Sequence, residues 1–193
     1  ADILGVDISD TAIDFAKKMS AEAKIPATFV RADIFDWFED NTQTYDLVYT
    51  SYGAINWISD IQKWASGIAK TLKVGGKLVM IDFHNMAGVF EYDWTLTYDY
   101  MGGKVESSGG VGDYVGNDYE GAFQNPHVAH EFPWGCGDII SALLENGLHI
   151  RHFKEYPYLN GWQRFPDMRE EVIGDKSRFY SPENKPILAY MYS

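Results

Sequence analysis

The chain has 193 residues, a formal net charge of −12 and a single cysteine, Cys136. This length allows one domain with a substantial core, the negative charge disfavours a nucleic-acid partner, and one cysteine excludes an intramolecular disulfide. No apolar run approaches the length of a membrane span, so we expect no membrane partner. The cysteine usage predicts a cytoplasmic protein, and the sequence leaves its oligomeric state open.

Short apolar strands alternate with amphipathic helices in the first part of the chain. Residues 3–7 predict a strand, and Ser9 or Asp10 can cap the helix that follows. The buried stripe of this helix is predicted from residues at helical spacing: Ala12, Ala16, Met19 and Ala23. Pro26 ends the helix, and residues 27–32 predict the second strand.

Two more strands and a second helix continue the alternation. Residues 45–50 predict a strand that is entered through a polar turn at 40–43. The next helix is predicted from the apolar positions Ile61, Trp64, Ala65, Ile68 and Leu72. Gly75 and Gly76 stop it, and residues 77–83 predict a strand at a sheet centre covered on both faces. The order β-α-β-β-α-β indicates an α/β fold with a doubly wound, mostly parallel sheet.

The pattern changes after this strand. Residues 85–133 contain no long periodic element and are rich in glycine between Met101 and Gln124. Such a stretch inside a compact domain is typical of a lid or binding loop, so we predict an insert at 85–133 within a single domain of 1–193. A helix from Gly137 and an antiparallel edge hairpin, formed by residues 148–158 and 187–192, complete the predicted fold.

Two acids stand at the ends of the first two strands. Asp7 follows the first strand and Asp33 the second. The carboxyl ends of parallel strands face the crevice in which such sheets bind nucleotides, and a carboxylate offers two acceptor oxygens for a ribose diol. The pair therefore suggests one acid for a ribose and one for an adenine amino group, although Asp7 has an alternative role in capping the following helix.

Four segments carry a resemblance to a known family. Gly5–Ser9, Ala32–Ile34 and Tyr45–Trp57 resemble the second-, third- and fourth-strand motifs of the class I S-adenosylmethionine-dependent methyltransferases of small-molecule type. Leu72–Leu78 resembles the family's turn from helix to fifth strand. The resemblance covers nearly the whole chain except the insert and residues 159–186. It implies a Rossmann-like fold, S-adenosylmethionine as cofactor, and methyl transfer to an O, N or C nucleophile of a small molecule.

The resemblance also implies roles for individual residues. In that family's pattern, Asp7 would accept hydrogen bonds from the ribose hydroxyls, and Asp33 would accept one from the adenine amino group. Ile8 and Ile34 would lie against the adenine ring. The loop after the fourth strand lies beside the methionine part of the cofactor and supplies three further cofactor contacts, Thr50, Ser51 and Tyr52.

The sequence gives weaker signals for the residues that bind the methyl acceptor. His84, one residue past the predicted fifth strand, is interpreted as the catalytic base, with a hydrogen-bonded loop histidine as the alternative. Trp57, His127 and His130 are predicted to bind substrate, with core packing as the alternative for Trp57. No cysteine or third ligand stands at a recognised spacing from the two loop histidines, so no metal is predicted. Cys136 is interpreted as a small buried residue rather than a nucleophile.

The family's first strand and its glycine-rich loop do not appear in the sequence. In this fold that strand lies between the strands that end at Asp7 and Thr50, so two sheet edges are left unpaired without it. We therefore describe the fold as N-terminally truncated and expect roughly 30 or more residues before Ala1. We also expect that the two strands do not pair directly with each other.

Two other functions are compatible with parts of this pattern. A nicotinamide-dependent oxidoreductase also uses an acid after the second strand, but Asp33 and the C-terminal hairpin are not expected in that class. A non-catalytic methyltransferase-like module that binds a ligand is the other alternative.

Overall fold

Strands and helices alternate through the first 83 residues, and all four predicted strands and both predicted helices of this part are present. The computed structural model describes residues 2–101, 105–109 and 127–193, so most of the glycine-rich stretch between Met101 and Gln124, inside the predicted insert, lies outside the described residues. The elements of the first half are β1 (Leu4–Asp7), α1 (Asp10–Ala23), β2 (Thr28–Arg31), α2 (Ile34–Asp40), β3 (Tyr45–Ser51), a 3-10 turn (Ile55–Trp57), α3 (Ile61–Thr71) and β4 (Leu72–Phe83).

Shorter elements form the second half. They are α4 (Asn85–Gly88), β5 (Glu106–Ser108), β6 (Ala129–Glu131), α5 (Cys136–Glu145), β7 (Glu155–Tyr156), β8 (Tyr158–Asn160), β9 (Arg169–Ile173), β10 (Lys176–Tyr180) and β11 (Met191–Tyr192). The helix predicted from Gly137 is α5, which begins one residue earlier and buries Ile139 and Leu143. Strands β8, β10 and β9 form a small antiparallel sheet that the sequence analysis did not predict.

The main sheet has the predicted mixed topology. Strand β3 pairs in parallel with β4, and β11 lies between β4 and β7, antiparallel to both. The α/β class and the antiparallel pairing of the C-terminal segments are therefore confirmed. The predicted edge hairpin is wrong in one respect, because β11 is an internal strand and β8, β9 and β10 separate it from β7 in the chain.

Strands β1 and β2 form a separate parallel pair. Among the described residues, β1 has no strand partner except β2, and β3 has none except β4. A cleft of about 490 Å³ lies between the β1–β2 pair and the start of β3. It is lined by residues such as Ile3, Val30, Trp37 and Tyr45. The strands that end at Asp7 and near Thr50 are thus separated, as predicted.

The predicted buried stripe of α1 is wrong. Ile13 is the only residue of this helix that is buried, and Met19 is more than half exposed. The helix packs on a sheet of only two strands, which is too narrow to cover a full helical face. Its ends follow the prediction more closely, because the Ser9 side chain caps the first turn by accepting a hydrogen bond from the amide of Ala12.

Helix α2 was not predicted between the second and third strands. It has seven residues, and Asp33 caps it by accepting a hydrogen bond from the amide of Phe35 at 2.8 Å. Its aromatic residue Phe38 packs against α3, where it touches the position of Gly67. Helices this short depend on such tertiary packing rather than on a long periodic pattern, which explains why the pattern did not reveal it.

Helices α3 and α5 cover one face of the main sheet. Val48, Leu78 and Met80 of β3 and β4 face a core formed by residues of these helices, including Trp64 and Ile139. The prediction that β4 is covered on both faces is wrong for the described residues. Leu47, Tyr49 and Val79 alternate with the buried positions and are each at least 40% exposed on the opposite face.

The contact between α2 and α3 predicts opposite effects for two helical glycines. A Cβ at Gly67 would lie 2.1 Å from the Phe38 ring, so Gly67→Ala should lower the free energy of unfolding by about 1–2 kcal/mol despite the better helix propensity of alanine. A Cβ at Gly137 in α5 would meet nothing within 4 Å, so Gly137→Ala should be neutral or stabilising. Urea denaturation of both variants tests this; equal effects would contradict the close contact.

Candidate functional site

Two carboxylates, those of Asp7 and Asp33, lie at the carboxyl edge of the β1–β2 pair. Asp7 ends β1 opposite Arg31 of β2, and the amide of Ala32 donates to the Asp7 carbonyl at 2.9 Å. This register places Asp33, two residues past β2, at the same edge as Asp7. The arrangement follows from parallel pairing, which brings the carboxyl ends of neighbouring strands to one side.

Each of these acids uses one oxygen locally. Asp7 Oδ1 accepts from the amide of Ser9 at 2.8 Å, and Asp33 Oδ1 accepts from the amide of Phe35 at 2.8 Å. The α1 cap is Ser9 rather than Asp7. The second carboxylate oxygen of each acid has no hydrogen-bond partner among the described residues, so each acid retains acceptor capacity.

Apolar side chains follow both acids. Ile8 is 62% exposed directly after Asp7, and Ile34 begins α2 directly after Asp33 and is half-buried. An isoleucine as exposed as Ile8 contributes little to the core. The edge therefore combines carboxylate acceptors with uncovered apolar surface.

The loop after β3 has an unusual backbone. Thr50 is the half-buried penultimate residue of β3, and Ser51 ends that strand. Tyr52 and Gly53 then have φ angles of 56° and 95°, in the left-handed region that costs a non-glycine residue about 1 kcal/mol or more. The amide of Tyr52 donates to the Ile81 carbonyl at 2.9 Å, which attaches the loop to β4.

A buried carboxylate at the end of β4 holds this loop. Asp82 is fully buried, and Oδ1 accepts from the amides of Gly53 at 2.5 Å and Phe83 at 2.8 Å, while Oδ2 accepts from the amide of Ile55 at 3.3 Å. Burial raises the pKa of Asp82, and the hydrogen bonds from the three backbone amides act in the opposite direction. The sequence analysis missed this residue, although an acid within an otherwise apolar strand was the available signal.

Removing this carboxylate should destabilise the protein. Asp82→Ala leaves the amides of Gly53, Ile55 and Phe83 without their acceptor, so the free energy of unfolding should fall by about 2–4 kcal/mol. Asp46→Ala is the matched control, because Asp46 makes only an exposed ion pair with Lys73 at 2.9 Å and should change stability little. Urea denaturation compares the two, and similar small losses would show that the loop does not depend on Asp82.

His84 lies in the interior and has partners on both ring nitrogens. It is 4% exposed and caps α4, where Nδ1 accepts from the amide of Met86 at 3.0 Å. This bond leaves the proton on Nε2, which donates to Glu155 Oε1 at 2.8 Å. Burial lowers the pKa of His84 and outweighs the opposing effect of Glu155. The ring is therefore hydrogen-bonded at both nitrogens, and the Nδ1 lone pair is occupied by the Met86 amide.

Cys136 is the other polar neighbour of this histidine. Its Sγ lies 3.3 Å from His84 Nε2, and the residue is buried at the start of α5. Burial raises the pKa of the thiol to about 11. Because the neighbouring imidazole nitrogen carries a proton and the thiol is not ionised near neutral pH, the pair is not an activated nucleophile.

The burial of His84 predicts a pH dependence of stability. Its pKa in the folded state lies below the ordinary value of 6.5, so the unfolded chain takes up a proton first as the pH falls. The contribution of the neutral His84 ring to the free energy of unfolding is therefore complete above the ordinary pKa. It decreases as the pH falls through and below that value. His84→Asn keeps a side-chain acceptor for the Met86 amide and should flatten the slope of unfolding free energy between about pH 7.5 and 5.5.

A second histidine serves as the control for that measurement. His149 is exposed, and His149→Asn should leave the slope as it is in the unmodified protein. An unchanged slope in His84→Asn would contradict the burial-based explanation.

The predicted substrate residues occupy a different part of the site. Trp57 ends the 3-10 turn after β3 and is 42% exposed, so it is not a fully buried core residue. His130 lies exposed on β6 and its Nδ1 is 2.9 Å from the Ser107 hydroxyl, while His127 is exposed just before that strand. The amide of Phe132 donates to the Asn56 carbonyl at 2.8 Å. The structure thereby joins the segment after β6 to the turn that carries Trp57.

The described residues contain neither a metal-binding group of side chains nor a helix suited to a membrane. Within residues 2–101, 105–109 and 127–193, no three side chains of the metal-ligating types come together in a group that could hold a metal ion. In the same ranges, no helix combines the length and the apolar composition that crossing a membrane requires.

Comparison with known proteins agrees with this geometry. Residues 1–76 match the family model described as a methyltransferase domain. A S-adenosylmethionine-dependent methyltransferase from Clostridium acetobutylicum is similar over 100% of this chain and 74% of its own, with a TM-score of 0.58 and 13% identity. No curated protein matches the chain.

Two further solved structures share the fold over most of the chain. A S-adenosylmethionine-dependent methyltransferase from Mesorhizobium loti is similar over 80% of this chain and 67% of its own, with a TM-score of 0.50 and 18% identity. The glycopeptide N-methyltransferase MtfA, complexed with S-adenosylmethionine, is similar over 80% of this chain and 65% of its own, with a TM-score of 0.52 and 13% identity.

The fold is thus that of the S-adenosylmethionine-dependent methyltransferases. The family-model match over residues 1–76 confirms the predicted resemblance to this class for the part of the chain that carries Asp7, Asp33 and the loop after β3.

Proposed function

We propose that the protein transfers the methyl group of S-adenosylmethionine to an O, N or C nucleophile of a small molecule. The observation that carries this proposal is the pair Asp7 and Asp33 at one edge of β1 and β2, each with a carboxylate oxygen that has no partner among the described residues. The predicted enzyme class and cofactor agree with the family-model match and with the fold.

The residues at this edge fit the cofactor. The open carboxylate oxygen of Asp7 suits a ribose diol, that of Asp33 suits an exocyclic amino group, and the exposed Ile8 side chain suits a flat aromatic base. Ile34 would contact the base from the start of α2. Thr50, Ser51 and Tyr52 would lie along the amino-acid part, as the resemblance implies.

When bound, S-adenosylmethionine supplies an electrophilic methyl group on a sulfonium. The charge is dispersed in the transition state of an in-line displacement, so the protein contributes mainly proximity and alignment, worth up to roughly 7–11 kcal/mol in favourable cases. Tyr52 presents an aromatic ring where cation–π attraction favours a sulfonium. Asp82 keeps that loop in place through the amides of Gly53 and Ile55.

General base catalysis by His84 stays a prediction. Proton acceptance by this residue would require Nδ1 to release the Met86 amide or Nε2 to release Glu155. An amine acceptor that reacts as its free base needs no such step. Trp57, His127 and His130 remain proposed substrate contacts, grouped by the link between Asn56 and Phe132.

The small-molecule acceptor is part of the proposal. A net charge of −12 disfavours a nucleic-acid acceptor. The predicted insert at 85–133 would contribute to the acceptor pocket, and its described part contains exposed aromatic residues such as Tyr92 and Tyr98.

A ligand titration distinguishes the proposed function from its alternatives. S-adenosylhomocysteine should bind the full-length protein and NADH should not. Binding of NADH alone would favour the oxidoreductase alternative. Binding of S-adenosylhomocysteine without turnover of any acceptor would favour the non-catalytic module.

Asp7 should carry a large share of cofactor affinity. Two charge-assisted hydrogen bonds to a ribose diol are worth roughly 1.5–3 kcal/mol each, so Asp7→Ala should raise the dissociation constant of S-adenosylhomocysteine at least tenfold. Isothermal titration calorimetry measures this on the full-length protein. Asp14→Ala is the control, because Asp14 lies exposed on α1 next to Lys17. An unchanged dissociation constant in a folded Asp7→Ala variant would remove the assignment.

A further inference from the structure

Three aromatic rings form a continuous wall at the carboxyl end of the main sheet. The wall consists of Tyr52, directly after β3, Phe83, the last residue of β4, and Trp162, two residues after β8. The ring centroids of Tyr52 and Phe83 are 6.1 Å apart, and those of Phe83 and Trp162 are 5.2 Å apart. Both pairs meet edge to face, with interplanar angles of 71° and 64°.

Packing alone does not explain this wall. Tyr52 and Trp162 are 49% and 39% exposed, so a substantial part of each side chain is left uncovered. Tyr52 has a left-handed backbone, which is strained for a residue with a side chain. Such strain clusters at ligand sites.

A guanidinium lies at one end of the wall. The Arg164 Cζ is 6.0 Å from the Trp162 ring centroid and 5.7 Å from that of Tyr92. Its Nε donates to the Ala87 carbonyl at 2.9 Å and Nη2 donates to the Phe90 carbonyl at 2.8 Å. These two contacts orient the planar group from the end of α4, as a rigid support for a binding site requires.

No described carboxylate forms an ion pair with this cation, although Glu91 and Glu131 act on its charge from farther away. Among the residues that the structure describes, no carboxylate oxygen lies within 4.0 Å of Arg164, although the chain contains 28 acidic residues. An arginine has five N–H donors, and two of them are engaged by described acceptors. Burial lowers the pKa of Arg164, which reflects incomplete compensation of its charge.

We propose that the wall and Arg164 form the acceptor site, and that the acceptor is an aromatic molecule bearing a carboxylate. The ring would stack against Trp162 and Tyr52, and the carboxylate would pair with the guanidinium in the planar geometry that arginine favours. This inference rests on the proposed methyltransferase function and identifies the substrate class of that site. It places one side of the acceptor site on residues 162–164, outside both the predicted insert and the segments that carry the family resemblance.

Two isosteric probes test the carboxylate requirement. Calorimetry on the full-length protein saturated with S-adenosylhomocysteine compares 4-hydroxybenzoate with 4-hydroxybenzamide. A charge-assisted bond that the amide cannot form should make the benzoate bind about tenfold or more tightly. Equal affinities, or no binding of either probe, would overturn the proposal.

Variants assign the binding to these residues. Arg164→Gln should abolish the preference for the benzoate and Arg164→Lys should retain part of it, whereas Arg178→Gln should retain it fully, because Arg178 stacks on Tyr158 in the small sheet. Trp162→Leu should weaken both probes about tenfold, and Tyr49→Leu on the exposed sheet face should not. Full preference in a folded Arg164→Gln variant would overturn the assignment of the carboxylate partner.

Cofactor affinity separates this inference from the proposed function. If S-adenosylhomocysteine binds but the probes do not, the acceptor assignment fails and the methyltransferase proposal stands. If S-adenosylhomocysteine does not bind, the methyltransferase proposal fails.

Discussion

The buried carboxylate of Asp82 is the interaction on which the site depends. It lies at the end of β4 and accepts hydrogen bonds from Gly53 and Ile55 in the loop after β3, so two neighbouring strand ends are joined by one side chain. Burying a charge of this kind is unfavourable unless backbone donors compensate it. Here three amides do so, and the same contacts hold the loop that contains the left-handed residues Tyr52 and Gly53.

The separation of β1–β2 from the main sheet accounts for the exposed apolar residues of α1 and of one face of β3. Parallel strands are normally buried on both faces, yet Leu47 and Tyr49 of β3 are more than half exposed. Helix α1 is likewise largely exposed, because the two strands beneath it cannot cover its apolar positions. The two features are related, since α1 packs on β1 and β2 rather than over the exposed face of β3.

The hydrophobic and polar patterns of the sequence predicted those parts of the fold that are determined by residues close together in the chain. The alternation of strands and helices, the acids at strand ends and the antiparallel pairing of the C-terminal segments all appear in the structure. The sequence did not predict α2, whose seven residues are stabilised by packing against α3, or the sheet of β8, β9 and β10. It also could not reveal that His84 pairs with Glu155, because that partner lies 71 residues away and is set by tertiary packing rather than by spacing.

The same dependence on tertiary packing distinguishes the cofactor side of the proposed site from its acceptor side. The proposed cofactor residues follow single strands, so their position in the sequence suggested their role. The proposed acceptor wall combines the ends of β3 and β4 with a turn after β8, and no spacing links Tyr52 to Trp162. Asp82 connects the two sides, because it holds the loop that carries Tyr52 and its neighbour Phe83 contacts both other rings of the wall. A change in the turn at 161–164 would therefore alter the proposed acceptor surface and leave the proposed cofactor residues in place.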